Sequence, residues 1–246
     1  MTKKEILDAI HGQMIISCQA VEGEPLYAEE KSIMYLMARA AKQAGTPAIR
    51  TSSIRDVIAI KEETGLPVIG LVKVQYPGYE GFITPTMKEV DDLVAAGSDI
   101  VALDCTLRKR GDGSTVNEFI AQIREKYPDI ILMADISNYE EGINAWKCGV
   151  DIVGTTMSGY TAYTSSVSDG PDYELMERLA RDINIPVIGE GRIHYPDQAV
   201  KALQTGAWAI VVGGAITRPL EIAMRFQNAI KESRENTILC RRRTGH

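Results

Sequence analysis

The sequence has few of the residues that hold disulfide-rich or zinc proteins together. It contains four cysteines, which are far apart and form no CxxC pair, and three histidines. Neither a disulfide framework nor a zinc site is therefore indicated. No run of about 18 apolar residues, the length needed to span a membrane, occurs anywhere in the chain. We expect a protein with free thiols, which fits the reducing cytoplasm.

The N-terminal segment also lacks the pattern of a secretion signal. Its apolar stretch is broken by polar residues and a glycine between positions 8 and 13, and no small-residue cleavage site follows. We therefore expect that the protein is not exported.

Basic residues are too few for a nucleic-acid-binding surface. The chain has 27 lysines and arginines against 33 acidic residues, a net charge of −6. An excess of positive charge is the usual electrostatic signature of binding to a phosphodiester backbone. A cluster at Arg241, Arg242 and Arg243 is too small to change this. No nucleic-acid partner and no membrane partner are predicted.

What the sequence does have is the composition and length of a folded α/β domain. Of its 246 residues, 45% are hydrophobic and 24% are charged, which excludes disorder and low complexity. Barrels of alternating strands and helices often use about this length as one unit. We predict a single domain over residues 1–246.

Short runs rich in Val and Ile alternate with stretches of helical periodicity along the whole chain. This alternation is typical of a parallel sheet with helices between its strands. Helical patterns cover, for example, residues 28–44, 54–63, 87–96, 116–126 and 173–183, and glycines placed to end helices stand at 45, 65, 97, 149 and 206. The strand-like runs occupy residues 14–18, 47–50, 67–72, 99–104, 129–135, 151–156, 186–190 and 207–213.

Eight such repeats favour one closed (β/α)₈ TIM barrel, preceded by a short N-terminal helix. An open doubly wound sheet is the alternative. The cofactor motifs typical of open sheets are absent, because no GxGxxG and no GxxxxGK[ST] occurs in the chain.

Polar residues follow the predicted strands at the end where a TIM barrel carries its active site. Alternation along a strand places Lys73 on the same face as Leu71, and Glu190 on the same face as Ile188. Each polar residue could instead have a structural role, and Lys73 could simply pair with Asp104. The polar residues at these positions are Gln19, Arg50, Lys73, Asp104, Asp135, Thr155 and Glu190.

The loops after the seventh and eighth strands have the composition of a phosphate site. Gly191, Gly213 and Gly214 allow close backbone approach to an anion, and Arg218 adds a positive charge. Barrels of this class often bind phosphate at this place. The predicted substrate is a small phosphorylated molecule, although a double glycine can also serve only a tight turn.

Lys73 and Glu190 follow strands that lie opposite each other in an eight-stranded ring. One group can remove a proton beside a carbonyl, and the other can return it on the opposite face. Their ordinary pKa values, about 10.4 and 4.3, would have to move toward neutrality, which burial achieves. Asp104, Asp135 and Glu190 could instead hold a divalent cation, but no histidine joins them. We predict no metal and no cofactor.

Nine segments together resemble the N-acylglucosamine-6-phosphate 2-epimerase family, the N-acetylmannosamine-6-phosphate epimerases of sialic acid catabolism. The resemblance runs almost end to end and is carried by IISCQAVEGEPL (15–26), AIR (48–50), PVIGLVK (67–73), FITPT (82–86), ALDCTLRKR (102–110), LMADIS (132–137), VGTTMSGYT (153–161), VIGEGRI (187–193) and VVGGAITRP (211–219).

The resemblance implies a cofactor-free TIM barrel that interconverts N-acetylmannosamine 6-phosphate and N-acetylglucosamine 6-phosphate, and it suggests a homodimer. Lys73 and Glu190 resemble the family's proton-transfer pair. Gln19, Arg50 and Asp135 resemble its sugar contacts, and Arg218 with the Gly213 and Gly214 backbone resembles its phosphate end. We also expect Arg192 to bind substrate. One departure is Gly111, where the family usually has proline, so we expect a looser loop around Arg108 and Arg110.

Two other functions fit the same residues less well. One is a cofactor-free barrel isomerase that acts on another phosphosugar. The second is a non-catalytic barrel that senses a sugar phosphate, which would need the phosphate end but not both Lys73 and Glu190.

Overall fold

A computed structural model describes residues 1–165 and 170–244, with side chains up to residue 235. Within these residues the strands form a closed parallel barrel in which each strand pairs with its neighbours in chain order and β8 pairs with β1. The predicted TIM barrel is therefore confirmed and the open sheet is excluded. The strands are β1 (Met14–Ser17), β2 (Ile49–Ser52), β3 (Val68–Leu71), β4 (Ile100–Asp104), β5 (Ile131–Asp135), β6 (Ile152–Gly154), β7 (Val187–Glu190) and β8 (Ala209–Val212).

Helices follow the strands around the outside, and a short helix precedes β1 as predicted. The helices are α1 (Lys3–Ile10), α2 (Met34–Gln43), α3 (Ile54–Thr64), α4 (Met87–Ala95), α5 (Val116–Lys126), α6 (Tyr139–Lys147), α7 (Tyr173–Asp182), α8 (Pro196–Gln204), α9 (Gly214–Thr217) and α10 (Pro219–Thr244). The glycines predicted to end helices, Gly45, Gly65, Gly97, Gly149 and Gly206, all have positive φ.

The helix predicted over residues 28–44 begins only at Met34, so this prediction was wrong at its start. The carbonyl oxygens of Ala28 and Glu29 each accept a hydrogen bond of 2.7 Å from the guanidinium of Arg55. A helix would need those carbonyls for its own backbone. The side chain from α3 therefore holds the segment in an irregular turn.

The strand residues divide into an inner and an outer set. Ile69, Leu71, Met133 and Ile188 belong to the cluster inside the barrel, which α1 closes at the amino-terminal end of the strands. The alternate residues form a second cluster with the surrounding helices. Because Lys73 continues the inner row of β3 and Glu190 that of β7, their predicted inward direction is confirmed.

The last helix, α10, differs from the others in how much apolar surface it exposes. Four large side chains on its described part are between 51% and 70% exposed: Leu220, Met224, Phe226 and Ile230. No helix in the described part of the chain is long and apolar enough to cross a membrane. The side chains of Arg241, Arg242 and Arg243 lie outside the described residues.

Candidate active site

A cavity of about 370 Å³ opens at the carboxyl ends of the strands. It brings together residues from strands and loops that are far apart in the sequence, as the barrel topology requires. The predicted site residues that line it are Gln19, Arg50, Lys73, Glu190, Gly191, Arg192, Gly213, Gly214 and Arg218. Asp135, Asp104 and Thr155, which were also expected at this end of the strands, do not line it.

Lys73 is held in a short hairpin that follows β3. It forms an antiparallel bridge with Ile83, and the Val74 amide donates to the Phe82 carbonyl at 3.0 Å. Both Phe82 and Ile83 line the cavity beside the lysine. Among the described residues, none forms a hydrogen bond or ion pair with the Lys73 amino group, so the pairing with Asp104 that we considered is not formed.

Burial is the main reason that the pKa of Lys73 lies below its ordinary value. The positive charges of Arg218 and Arg50 lower this pKa further, whereas the charge of Glu190 opposes the shift. A lysine with a lowered pKa is more often neutral and can accept a proton.

Glu190 ends β7 and faces the same cavity. Its Oε2 lies 3.0 Å from Oγ1 of Thr156, and its Oε1 lies 3.4 Å from Nε of Arg50. Burial raises the pKa of Glu190, and the neighbouring Arg50 opposes this rise. A carboxyl group with a raised pKa can hold and donate a proton near neutral pH.

Lys73 and Glu190 stand on opposite sides of the cavity because β3 and β7 are four strands apart in the closed ring. Each changes the pKa of the other, the carboxylate raising that of Lys73 and the ammonium lowering that of Glu190. The pKa values of the two groups are shifted in opposite directions, both toward neutrality. This is the arrangement required for acid–base chemistry on two faces of one carbon.

Arg50 and Asp135 form a buried ion pair at the base of the cavity. Arg50 Nη2 donates to Asp135 Oδ2 at 2.6 Å, and the two side chains are 1% and 0% exposed. Asp135 Oδ1 accepts from Thr156 at 2.7 Å. The geometry therefore favours a positioning role for Asp135, and the direct sugar contact expected of it stays a prediction.

The residue missed by the sequence reasoning is Thr156. Thr155 was expected at the rim, but its hydroxyl lies against the backbone of Glu190, accepting from the amide at 3.0 Å and donating to the carbonyl at 2.8 Å. Thr156 lines the cavity instead. Since Gly154 faces inward beside Asp135, alternation along β6 would have identified Thr156.

The predicted phosphate end is formed where β8 leads into α9. Gly213 precedes the first residue of α9, and the flexible end of the Glu221 side chain lies against Gly214. Arg218 is one-third exposed and pairs with two carboxylates, Glu24 at 3.1 Å and Glu221 at 3.0 Å. An incoming phosphate would have to compete with both for this arginine.

Arg192 lines the cavity in the left-handed region of backbone space, with φ of 54°. Its guanidinium donates to the carbonyl oxygens of Ser158 at 2.6 Å and Gly170 at 2.9 Å, and lies 5.6 Å from the Tyr160 ring centre. These bonds attach the loop after β6 to the loop after β7, so the guanidinium shapes the wall of the cavity.

The loop around Gly111 is tightly packed, which differs from the looser loop that we expected. A side chain at Gly111 would collide with the Tyr79 ring. Arg110 is 8% exposed, stacks 3.9 Å from the Phe119 ring centre and donates to the Pro85 carbonyl. Arg108 binds Asp104 at 2.6 Å.

The described residues contain no group of three His, Cys, Asp or Glu side chains arranged to hold a metal ion. The closed barrel, with a lysine and a glutamate facing one cavity at its carboxyl-terminal mouth, has the architecture of a TIM-barrel enzyme with a candidate acid–base site.

Comparison with known proteins gives the family. Residues 34–232 match the family model of NanE, described as putative N-acetylmannosamine-6-phosphate epimerase. The chain therefore belongs to the NanE family, and the resemblance inferred from the sequence is confirmed.

Relatives agree in both sequence and structure. A putative N-acetylmannosamine-6-phosphate 2-epimerase of Caldanaerobacter subterraneus subsp. tengcongensis is 53% identical over 95% of this chain and 98% of its own length. A protein of the same description from Enterobacter sp. is 47% identical over 93% and 97%. The solved N-acetylmannosamine-6-phosphate 2-epimerase of Clostridium perfringens superposes with a TM-score of 0.86 at 48% identity, covering 91% of this chain and 96% of that one.

Proposed function

We propose that this enzyme interconverts N-acetylmannosamine 6-phosphate and N-acetylglucosamine 6-phosphate, with Lys73 and Glu190 moving the proton of carbon 2. The chain's place in the NanE family supports the reaction. The observation that carries the residue assignment is that Lys73 and Glu190 face one cavity from opposite strands, each with its pKa moved toward neutrality.

The chemistry follows from the position of carbon 2. In the open-chain sugar this carbon lies beside the aldehyde, so its proton is acidic and its removal gives an enolate. One of the two residues removes the proton from one face, and the other returns a proton on the opposite face, which inverts the centre. In the reverse reaction their roles are exchanged.

Gln19 is a candidate contact for the acylated substituent. Its side chain is 7% exposed, its amide nitrogen donates to Ser17 Oγ at 2.7 Å, and its Oε1 has no hydrogen-bond partner in the described residues. A buried acceptor without a donor is costly unless a ligand supplies one. The amide N–H of an N-acetyl sugar is such a donor.

Solvent deuterium exchange tests the proposed reaction. In D₂O the enzyme should place deuterium at carbon 2 of N-acetylmannosamine 6-phosphate and at no other carbon, as read by NMR. The reaction should not need the addition of a metal or cofactor and should survive chelation. Absence of deuterium, or equally fast epimerisation of mannose 6-phosphate, would contradict the proposed reaction or its N-acyl substrate.

We infer that Arg218 binds the substrate phosphate while Glu221 competes with it. Arg218→Ala should raise KM by about tenfold to a hundredfold, because hydrogen bonds to charged groups contribute about 1.5–3 kcal/mol. Glu221→Gln should have the opposite effect and lower KM by about twofold to fivefold. This change corresponds to the free energy of the exposed ion pair that no longer competes with the phosphate. Steady-state kinetics of both variants measure this, and a higher KM in Glu221→Gln would contradict it.

We also propose a homodimer in which a second copy covers the exposed apolar side chains of α10. Large exposed apolar surfaces usually mark an interface. Phe226, which is 70% exposed, should lie at its centre, so Phe226→Glu should give monomers in sedimentation velocity. Val200→Glu on α8, where the valine is 56% exposed, is the matched control and should stay dimeric. If both variants sediment like the wild type, α10 is not the interface.

We place this one catalytic domain, residues 1–246, in the cytoplasm. Three cysteines, Cys18, Cys105 and Cys148, are free thiols. Burial raises the pKa of Cys18 to about 12, which keeps this thiol protonated and unreactive. Free thiols of this kind suit a reducing compartment.

A further inference from the structure

A closed ring of polar contacts links the buried Asp135 to three side chains that line the cavity, Arg50, Thr156 and Glu190. Glu190 Oε2 lies 3.0 Å from Thr156 Oγ1, which lies 2.7 Å from Asp135 Oδ1. Asp135 Oδ2 accepts from Arg50 at 2.6 Å, and Arg50 Nε faces Glu190 Oε1 at 3.4 Å. Thr156 therefore lies between one oxygen of each carboxyl group, and Arg50 lies between the other two.

The ring contains one hydroxyl hydrogen between two carboxyl oxygens. Thr156 can donate this hydrogen to only one of them, since a hydroxyl has a single O–H. Its distance to Asp135 is shorter than its distance to Glu190. Asp135 is fully buried, and no other donor in the described residues reaches its Oδ1. If Thr156 turned its hydrogen toward Glu190, that buried oxygen would lose its only donor, which is costly.

The hydrogen of Thr156 is thus directed to Asp135, and the lone pairs of its oxygen are left for Glu190. An ionised Glu190 would face these lone pairs with Oε2 and gain nothing. A protonated Glu190 would donate its O–H to Thr156, and every polar atom between the two carboxyl groups would then be satisfied. One proton completes the ring, and its place is on Glu190 because Asp135 holds the closer contact with the Arg50 cation, 2.6 Å against 3.4 Å for Glu190.

We propose that Thr156 is a positioning residue that holds the proton of Glu190, accepting a hydrogen bond from the protonated carboxyl while donating its own hydrogen to Asp135. The catalytic meaning of this proton rests on the proposed function, whereas the hydrogen bond itself does not. The charged groups that face Glu190 are Arg50 from β2, Lys73 after β3 and Asp135 from β5.

The neighbouring threonine provides a matched control. Thr155 also contacts Glu190, but only through the backbone amide and carbonyl of that residue. Thr155→Val removes a hydroxyl of the same kind from the adjacent position without touching the carboxyl group. This variant shows how a purely structural change near Glu190 affects the titration of its carboxyl group.

Infrared difference titration of the free enzyme tests the proposal. The carbonyl stretch of the protonated Glu190 carboxyl is identified as the band that is missing from Glu190→Gln. In Thr156→Val, the midpoint of this band should move to lower pH by about one unit, the equivalent of one ordinary hydrogen bond. Thr156→Ser keeps the hydroxyl and should keep the midpoint, and Thr155→Val should leave it unchanged.

The sign of the shift decides between two roles. If Thr156 donates to an ionised Glu190, its removal moves the midpoint to higher pH, which would overturn the proposal, as would no shift at all. Thr156→Ala is the second variant if valine does not fit, and it must shift the midpoint in the same downward direction. Thermal unfolding of each variant shows that the titrated protein is folded.

The same variants test the Thr156–Glu190 hydrogen bond and the proposed reaction independently of each other. Epimerase turnover should fall in Thr156→Val and recover in Thr156→Ser with little change in KM. An enzyme with no epimerase activity but with the expected infrared shift would refute the reaction and keep the hydrogen bond. Full activity together with an unshifted band would refute the hydrogen bond and keep the reaction.

Discussion

Lys73→Ala and Glu190→Gln should each lower the epimerase turnover number by at least about a thousandfold. A positioned acid or base contributes about 10²–10⁴-fold, and inversion needs both groups in every cycle. Lys73→Ala should remain stable, since the buried amino group forms no hydrogen bond or ion pair in the described structure and its removal leaves no partner exposed. Turnover is measured in both directions with the purified sugar phosphates.

Isotope exchange makes this prediction sharper than loss of activity alone. Each single variant keeps one of the two groups and should still exchange the carbon 2 hydrogen of one epimer with D₂O, without forming the other epimer. The two variants should act on different epimers, and the double variant on neither. Wild-type turnover in either variant would remove that residue from the proton path.

Arg50→Met should destabilise the fold by about 3–5 kcal/mol at pH 7, because breaking a buried ion pair leaves an uncompensated charge. Its partner Asp135 is fully buried, and Glu190 would lose the same cation. The matched control is Arg39→Met, which breaks the Arg39–Glu63 pair of 2.7 Å on the surface, where the arginine is 49% exposed. That change should cost less than about 1 kcal/mol. Urea unfolding measures both, and equal losses would contradict the prediction.

The loss of folding stability in Arg50→Met should also depend on pH in a defined direction. Arg50 opposes the rise in the pKa of Glu190, so its removal raises this pKa further. An acid whose pKa is higher in the folded than in the unfolded state favours folding less as pH rises between these two values. The deficit relative to wild type should therefore be larger at pH 8 than at pH 5, and the opposite trend would contradict this interpretation.

Alternation along strands was sufficient to place the proposed catalytic pair. Lys73 and Glu190 follow inward residues by two positions, and the closed ring of eight strands puts them opposite each other. These are backbone properties that the sequence pattern carries directly. The same reasoning predicted the barrel, its order of elements and its glycine-ended helices.

Side-chain partners across the barrel could not be predicted in the same way. Whether Asp135 faces a ligand or Arg50 depends on which long side chain reaches it, and Arg192 could equally have pointed at a sugar rather than at two loop carbonyls. The start of α2 was missed for a similar reason, because Arg55 from the next helix takes the carbonyls of the preceding turn. Such contacts depend on side-chain rotamers and packing, not on periodicity.

The ring that includes Glu190 is built from both halves of the barrel. Its one cation, Arg50, comes from the first half, and its other three members come from the second half. Arg50 belongs to β2, whereas Asp135, Thr156 and Glu190 belong to β5, β6 and β7 or follow them directly. A fragment ending after β4 would carry the guanidinium without a counterion, and the complementary fragment would carry two neighbouring carboxylates without a cation. We therefore expect this ring to form only when the two halves of the barrel come together, and neither half alone to hold it preformed.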